Sequence, residues 1–264
     1  MTLSLSSAAI FPDLKGKAVL VTGASTGIGA AAAIGFGRNG MRVAVHYNAS
    51  HDRAADVARE IRSCGGEASL IGGDLSKRGE SDRVFAQAVA ALGGVDVLVN
   101  NAGGLVGRVP LTDYDDDFIE AIFELNVRPA LHLTRAAANH MIERKISGTI
   151  INVSSIAARS GGGSGTTLYS AAKGFISTAT RGWAKELAPY NIRVNAVSPG
   201  VIMTPLHERH STADQLNRMQ AAIPLGRLGA PEECVGTFLY LASQQASGYL
   251  TGQIIEVNGG QMMP

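Results

Sequence analysis

Tyr169 and Lys173 stand four positions apart in the run LYSAAKG, residues 168–174. Residues four apart share one face of a helix, so both side chains can address one cleft. The chemistry open to them is proton transfer. A phenol with a pKa of about 10 is a poor acid–base group near neutrality. An ammonium beside it favours the phenolate and lowers that value. A pair tuned in this way serves as general acid toward a nascent alkoxide and as general base in the reverse direction. Taken alone, a Tyr-x-x-x-Lys pair is an ordinary pair on a helix surface, so the rest of the chain has to decide.

A second constellation lies in VTGASTGIGA. Gly23, Gly27 and Gly29 follow a buried-looking strand and open a helix. A diphosphate must approach main-chain N–H groups at a helix N-terminus, and side chains at these positions would block it. The placement between strand and helix makes this a dinucleotide-type turn. The next strand ends HYNAS, with His46, Tyr47, Asn48 and Ser50 as neutral donors or acceptors, and no carboxylate comes before Asp52. NAD-preferring folds usually place an acid there for the ribose 2′-hydroxyl. Its absence favours NADP(H), with NAD(H) still open, since no arginine stands at the strand end. Thr26 also occupies a position where a basic residue could have gripped a 2′-phosphate.

These residues need a scaffold. Short apolar, β-branched runs at 17–22, 42–47, 68–73, 95–100, 148–155, 192–198 and 253–258 read as strands, mostly without alternation, as in a parallel sheet covered on both faces. Helical patterns lie between them at about 27–39, 51–64, 78–92, 114–144, 167–188 and 231–243. The alternation predicts an α/β, doubly wound Rossmann-type fold with a seven-stranded parallel sheet. Residues 1–13 read as a loose leader and 14–264 as one dinucleotide-binding catalytic domain. A lid insertion at about 204–224 interrupts the alternation.

Composition agrees. Of 264 residues, 45% are hydrophobic and 17% charged, as in a globular protein; with 23 basic and 22 acidic residues there is no block suited to nucleic acid. No apolar run is long enough to span a membrane, and the N-terminus lacks the basic start of a signal peptide. The expected location is the cytoplasm. Cys64 and Cys234 have no metal-ligand spacing and are expected as reduced, buried or half-buried thiols. No metal site is expected, because His207 and His210 lack partners at ligand spacing.

Six motifs in order give the chain a resemblance to the short-chain dehydrogenase/reductase family, compact single-domain type, over residues 14–261. They are TGASTGIG, GGDLS, NNAG (100–103), INVSS with YSAAK, SPGVIMT and the tail GRLGAPEECVGTFLYLAS…GYLTGQIIEVNGG. The resemblance implies a nicotinamide coenzyme held by Gly23, Ser25, Thr26, Gly27, Ile28 and Gly29, by Tyr47, Asn48 and Ser50, and by Asp74 and Leu75 near the adenine. It also implies contacts from Asn100, Ala102, Gly103, Tyr169, Lys173, Pro199, Gly200, Ile202 and Thr204. It implies Tyr169 as general acid/base, Lys173 on the ribose and beside the phenol, and Asn126 on a water that relays protons to Lys173. A serine would hold the substrate oxygen. Side chains alternate along a strand, so only one of Ser154 and Ser155 can face the cleft; the family motif matches Ser155. The loop between Ser155 and Tyr169 is one residue longer than the usual spacing. A homotetramer, paired through the long fourth and fifth helices and the C-terminus, is implied as well.

Three segments should line the substrate cleft: 103–108, 159–168 and 205–219. They carry Arg108, Arg159, His207, Arg209 and His210 and few aromatics. This suits a small-molecule carbonyl or secondary alcohol of the sugar or sugar-acid type. A 3-oxoacyl-thioester reductase is the alternative within the class. A non-catalytic dinucleotide sensor is the alternative outside it, although such a protein would be expected to lack Tyr169 or Lys173. An epimerase or dehydratase would need a longer chain.

Overall fold

A computed structural model describes residues 11–205 and 211–263. Seven parallel strands form one sheet in the order β3-β2-β1-β4-β5-β6-β7. They are β1 Ala18–Val21, β2 Arg42–Tyr47, β3 Glu67–Gly72, β4 Val97–Asn100, β5 Thr149–Val153, β6 Arg193–Pro199 and β7 Ile254–Val257. The continuously apolar runs are the central strands: every residue of β1, β4, β5 and β6 is buried. The edge strands β3 and β7 are only partly covered. A strand buried on both faces has no polar face to alternate with.

Helices α1 Gly27–Arg38 and α2 His51–Ser63 cover one face together with the helix Val235–Ala242. Phe36, Met41, Ile61 and Phe238 fill the core there. The other face carries α3 Glu80–Leu92, α4 Asp116–Asn126, α5 Arg128–Glu143, the short α6 Ala157–Ser160 and α7 Thr167–Leu187. Leu98, Leu133, Met141 and Ile150 lie beneath them. Along β1, Val19 and Val21 enter the first core while Ala18 and Leu20 enter the second, the period of two expected of a strand.

Four differences from the sequence reading have physical causes. The helix expected over 114–144 is two helices, broken at Val127 (φ −113°, ψ −58°). Pro129 lies in the first turn of α5, where its missing N–H is harmless. The stretch 204–224 contains a helix, Ala213–Ala221, started by a reciprocal capping box between Thr212 and Gln215. Residues 11–13 are fastened rather than loose: the Phe11 N–H donates to Asn39 Oδ1 at 2.9 Å, and Asp13 accepts from Ser243 Oγ and from the N–H groups of Gln244 and Gln245. Cys64 is exposed at the end of α2, while Cys234 is fully buried and its thiol is pushed up to about 12 by burial. Residues 1–10 of the expected leader, and His207, Arg209 and His210, lie outside the described residues. Among the described residues no helix is long and apolar enough to cross a membrane.

Candidate active site

The catalytic-type side chains gather at the C-terminal ends of β4 and β5, where α7 passes over the sheet. Thr167–Leu187 is a 21-residue helix. Its register puts Tyr169 and Lys173 one turn apart on the face toward β5. Ser155 lies close enough to the Tyr169 hydroxyl to act on it and favour the phenolate, and Lys173 Nζ lies 5.8 Å from the centroid of the Tyr169 ring. Lys173 is 5% exposed, and its ammonium donates to the Val153 carbonyl at 2.9 Å. Burial raises the phenol above its ordinary value, with Ser155 opposing that rise, and burial lowers the lysine to about 8. Both shifts have one origin, the removal of water from a charged form. Against the sequence expectation, Lys173 does not hold the phenol below its ordinary value in the coenzyme-free protein; burial outweighs it.

Alternation separates the two serines. Ser154 Oγ points under α7, within 2.7 Å of Ser177 Oγ, and donates to the Lys173 carbonyl at 3.1 Å. Ser155 Oγ turns the other way, toward Tyr169, and accepts from the Ala157 N–H at 3.1 Å.

Asn126, the last residue of α4, is buried exactly where the long helix breaks. Its Oδ1 accepts from the Gly104 N–H at 2.9 Å, and its Nδ2 donates to the carbonyls of Gly104 and Ile122. Gly103 is wedged beside it: with φ +153°, a Cβ there would lie 2.8 Å from Asn126 Oδ1 and 3.3 Å from Lys173 Nζ. Asn126, Gly103 and Lys173 therefore form one packed unit, which only a glycine at 103 permits.

The glycine turn fits a dinucleotide. Gly23 and Gly27 adopt φ +62° and +58°. A side chain on Gly29 would collide with the Gly23 carbonyl and with Asn101 Nδ2. Asn101 braces this turn, donating from Nδ2 to the carbonyls of Thr22 (2.8 Å) and Gly23 (3.1 Å). The Thr22 hydroxyl accepts from the N–H groups of Asn101 and Ala102. Neither Thr22 nor Asn101 was singled out in the sequence, although NNAG contains the latter. The first amides of α1 lack intrahelical acceptors and form an anion-binding end. Thr204 closes over this end, its Cγ2 being 3.1 Å from the site of a Gly27 Cβ.

Other candidate residues are engaged elsewhere. Asn100 is 6% exposed and is engaged inside, donating to Thr134 Oγ1 on α5 at 3.0 Å and to Asn152 Oδ1 on β5 at 2.9 Å. Ile202 packs its side chain on Gly229, beside which it forms an isolated bridge. Pro199 ends β6, and the Gly200 N–H donates to the Val257 carbonyl. Asp74 turns inward on Ser76, accepting from its N–H and hydroxyl, and Leu75 is buried. Tyr47 lies against Gly72 and meets the His51 ring edge-on at 5.4 Å. Asn48 and Ser50 are exposed, Ser25 and Ile28 half-buried, and Ala102 half-buried beside Gly23. Arg159 turns to Glu256 on β7, at 3.3 Å. Arg108 stays at the cleft mouth, donating to the Ser164 carbonyl at 3.2 Å.

His46, one of the neutral polar residues at the end of β2, points into the protein. Its imidazole is 2% exposed: Nδ1 accepts from the Gly23 N–H and Nε2 donates to the Gly73 carbonyl, both at 3.1 Å. Burial pushes it down from 6.5 to about 4, against the opposing effect of the Gly73 carbonyl. The folded state thus binds fewer protons than the unfolded state between these values. Stability is complete above pH 6.5 and is lost as pH falls toward 4. From pH 7 to pH 5 the wild type should lose about 2 kcal/mol more than His46→Asn, measured by urea unfolding at the two pH values.

A family model described as enoyl-(acyl carrier protein) reductase matches residues 23–262. L-rhamnose 1-dehydrogenase (NAD(P)(+)) of Sphingomonas sp. is 40% identical over 249 residues, 94% of this chain and 96% of that one. The chain belongs to the short-chain dehydrogenase/reductase family. The 3-oxoacyl-[acyl-carrier-protein] reductase of Synechocystis sp. is 39% identical over 95% of this chain and 98% of that one. Among solved structures, the NADH-dependent reductase A1-R′ responsible for alginate metabolism, complexed with NAD, superposes with a TM-score of 0.86 at 37% identity, covering 97% of this chain and all of that one. This short-chain dehydrogenase/reductase is an NAD(P)-dependent oxidoreductase, moving a hydride between a nicotinamide coenzyme and the carbonyl or secondary alcohol of a small molecule. The glycine cradle, which side chains would fill, fits that coenzyme.

Proposed function

We propose that Tyr169 is the general acid/base of this reaction, and that the approach of Ser155 to its hydroxyl, with Lys173 Nζ 5.8 Å from its ring centroid, is the observation that carries the assignment. The coenzyme supplies the hydride in reduction and accepts it in oxidation. Tyr169 gives its proton to the nascent alkoxide. Ser155 donates to the same oxygen and holds it at the phenol. Lys173 favours the phenolate and sits within reach of the ribose. Asn126 fixes the backbone at Gly104 and, with Gly103, the position of Lys173, at the place where a proton-relaying water would bind. Gly23 to Gly29 hold the diphosphate end; Tyr47, Asn48 and Ser50, with Asp74 and Leu75, hold the adenosine end. Asn100, Ala102 and Gly103, then Pro199, Gly200, Ile202 and Thr204, border the nicotinamide through their backbone.

The serines give a sharp test. Ser155→Ala should lower kcat about 100-fold, the scale of removing one donor from a developing oxyanion. Ser154→Ala should leave kcat within about 3-fold and lower thermal stability instead, since it loses only the contact under α7. Steady-state kinetics beside thermal melts separates the two.

NADP(H) is the coenzyme we assign, with NAD(H) second. No carboxylate stands at the end of β2, and Asp52 is engaged with His51 on the first turn of α2. The substrate we assign is a sugar or sugar acid. The sugar-acting relative from Sphingomonas supports this class. A 3-oxoacyl thioester is the second reading, supported by the Synechocystis relative. The exposed Phe123, Leu131 and Phe175 on α4, α5 and α7 suit pairing of these helices in a homotetramer, and the site of action is the cytoplasm. Rates with keto-sugars, sugar acids, oxoacyl thioesters and aromatic ketones, each with NADPH and NADH, test this reading. The highest kcat/KM should fall on a sugar or sugar acid. Turnover confined to thioesters selects the second reading, and coenzyme binding without turnover of any of these compounds rules out both substrate assignments, leaving a substrate outside the panel or the sensor.

A further inference from the structure

We propose that His46 is a positioning residue for the coenzyme, its imidazole clamping the glycine turn after β1 to the loop after β3 at the spacing the dinucleotide needs. The proposal rests on coenzyme binding at this turn. Three bonds from one residue reach the two loops. The imidazole takes the Gly23 N–H and gives to the Gly73 carbonyl, and the His46 carbonyl accepts from the Ala24 N–H at 2.7 Å. Gly23 begins the turn that meets the diphosphate; Gly73 precedes Asp74, on the adenine side. A coenzyme spans the two, so an error in their separation is an error in its seat.

The clamp also changes which amides meet the phosphates. The N–H groups of Gly23 and Ala24 are both taken by His46. The donors left for an anion are the later ones, toward Gly27 and Gly29 at the start of α1. Gly23 is therefore fixed by its own amide rather than spent on the ligand. The tautomer follows: Nδ1 must be bare to accept from an N–H, so the proton sits on Nε2. An imidazolium would aim an N–H at an N–H. Arg83 and Glu80 on α3 are the charged groups near enough to act on the ring, and they oppose one another.

Three variants separate polar clamping from core filling. His46→Leu fills the space but offers no hydrogen bond. His46→Asn restores an acceptor where Nδ1 stood. His46→Gln restores a donor near the Nε2 position but not that acceptor. Coenzyme Kd is read directly by fluorescence titration, without turnover. We expect a Kd about 10-fold weaker for His46→Leu, the fold-change for one buried amide left without its acceptor. His46→Asn should lie within about 3-fold of wild type and His46→Gln between the two. At saturating coenzyme, kcat and substrate KM should stay within about 2-fold throughout. A wild-type Kd in His46→Leu overturns the proposal. So does a loss of Kd, kcat and melting temperature together that His46→Asn fails to rescue, because that pattern belongs to a purely structural residue. If His46→Leu does not fold, nitrogen NMR of the wild-type imidazole serves. The Nδ1 signal should be that of a bare, hydrogen-bonded nitrogen and should move when NADP(H) or NAD(H) is added. A signal that coenzyme leaves unmoved overturns the proposal equally.

Discussion

Tyr169→Phe should lower kcat by about 100- to 10,000-fold, a rise of roughly 3–5 kcal/mol in the barrier. The substitution removes one oxygen and little else. Phenylalanine keeps the ring that packs beside Ile122 and Ala172, so α7 and the small cluster around it remain. The phenol is the acidic group beside Ser155, with an ammonium 5.8 Å from its ring centroid. Without it the alkoxide has only the Ser155 hydroxyl as proton source, a far weaker acid. Coenzyme Kd should change by less than about 10-fold, far less than kcat, because the ring and the other coenzyme contacts are kept. Stopped-flow reduction beside coenzyme titration checks both halves. A variant that keeps a tenth of wild-type kcat would mean that another group delivers the proton. The pH profile adds a sign. Lys173 is charged below about 8 in the coenzyme-free protein, and above that value its support for the phenolate fades.

Arg193→Met should cost about 3–5 kcal/mol of stability, since at least two buried acceptors lose their donor at about 1–3 kcal/mol each. Arg193 opens β6 and is 5% exposed. Its guanidinium donates to the Leu241 carbonyl at 2.8 Å, Thr149 Oγ1 at 2.9 Å and Gln244 Oε1 at 2.9 Å. Leu241 and Ala242 end the helix Val235–Ala242, so the cation sits at the negative pole of that helix. Burial lowers the pKa of Arg193, but a guanidinium keeps its proton. Asp13 then holds Ser243 and the amides of Gln244 and Gln245, tying the first described turn to the same corner. For a chain of this size the melting temperature should fall by roughly 10 °C. Arg193→Lys should recover only part of it, because an ammonium has three donors where the guanidinium has five. A melting temperature within about 2 °C of wild type in Arg193→Met would show that the corner repacks without its cation. Catalysis should be untouched at temperatures where the variant is folded, since Arg193 lies at the opposite end of β6 from Pro199.

Much of this architecture is written in local pattern. The strands declared themselves because a parallel sheet covered on both faces demands continuous apolar runs, and β1, β4, β5 and β6 are those runs. The glycine turn, the Tyr169–Lys173 pair and the alternation of strand and helix follow from spacing, which the chain carries without help from distant contacts. The break at Val127 was harder to see: Pro129 announced a disturbance, but only packing against α7 and Gly104 decides that Asn126 ends one helix. The helix at Ala213–Ala221 was hidden by its polar composition, although its capping box was present in the letters.

What the sequence by itself determined is the order of the elements, the glycine turn and the approach of Tyr169 to Lys173 on one helix face, because each rests on neighbours in the chain or on backbone need. Tertiary structure alone decided where the polar side chains point. It turned Ser155 to the phenol and Ser154 beneath α7. It sent Arg159 to Glu256 and Asn100 into the sheet, and put Asn101 on the turn. It made His46, in the sequence only one of several neutral donors or acceptors at the strand end, the buried link between two loops. Those choices depend on partners 14 to 97 residues away, from Ser155 with Tyr169 to Arg159 with Glu256. A hydrogen bond across such a separation leaves no periodicity in the chain, and only the closed sheet brings its two ends together.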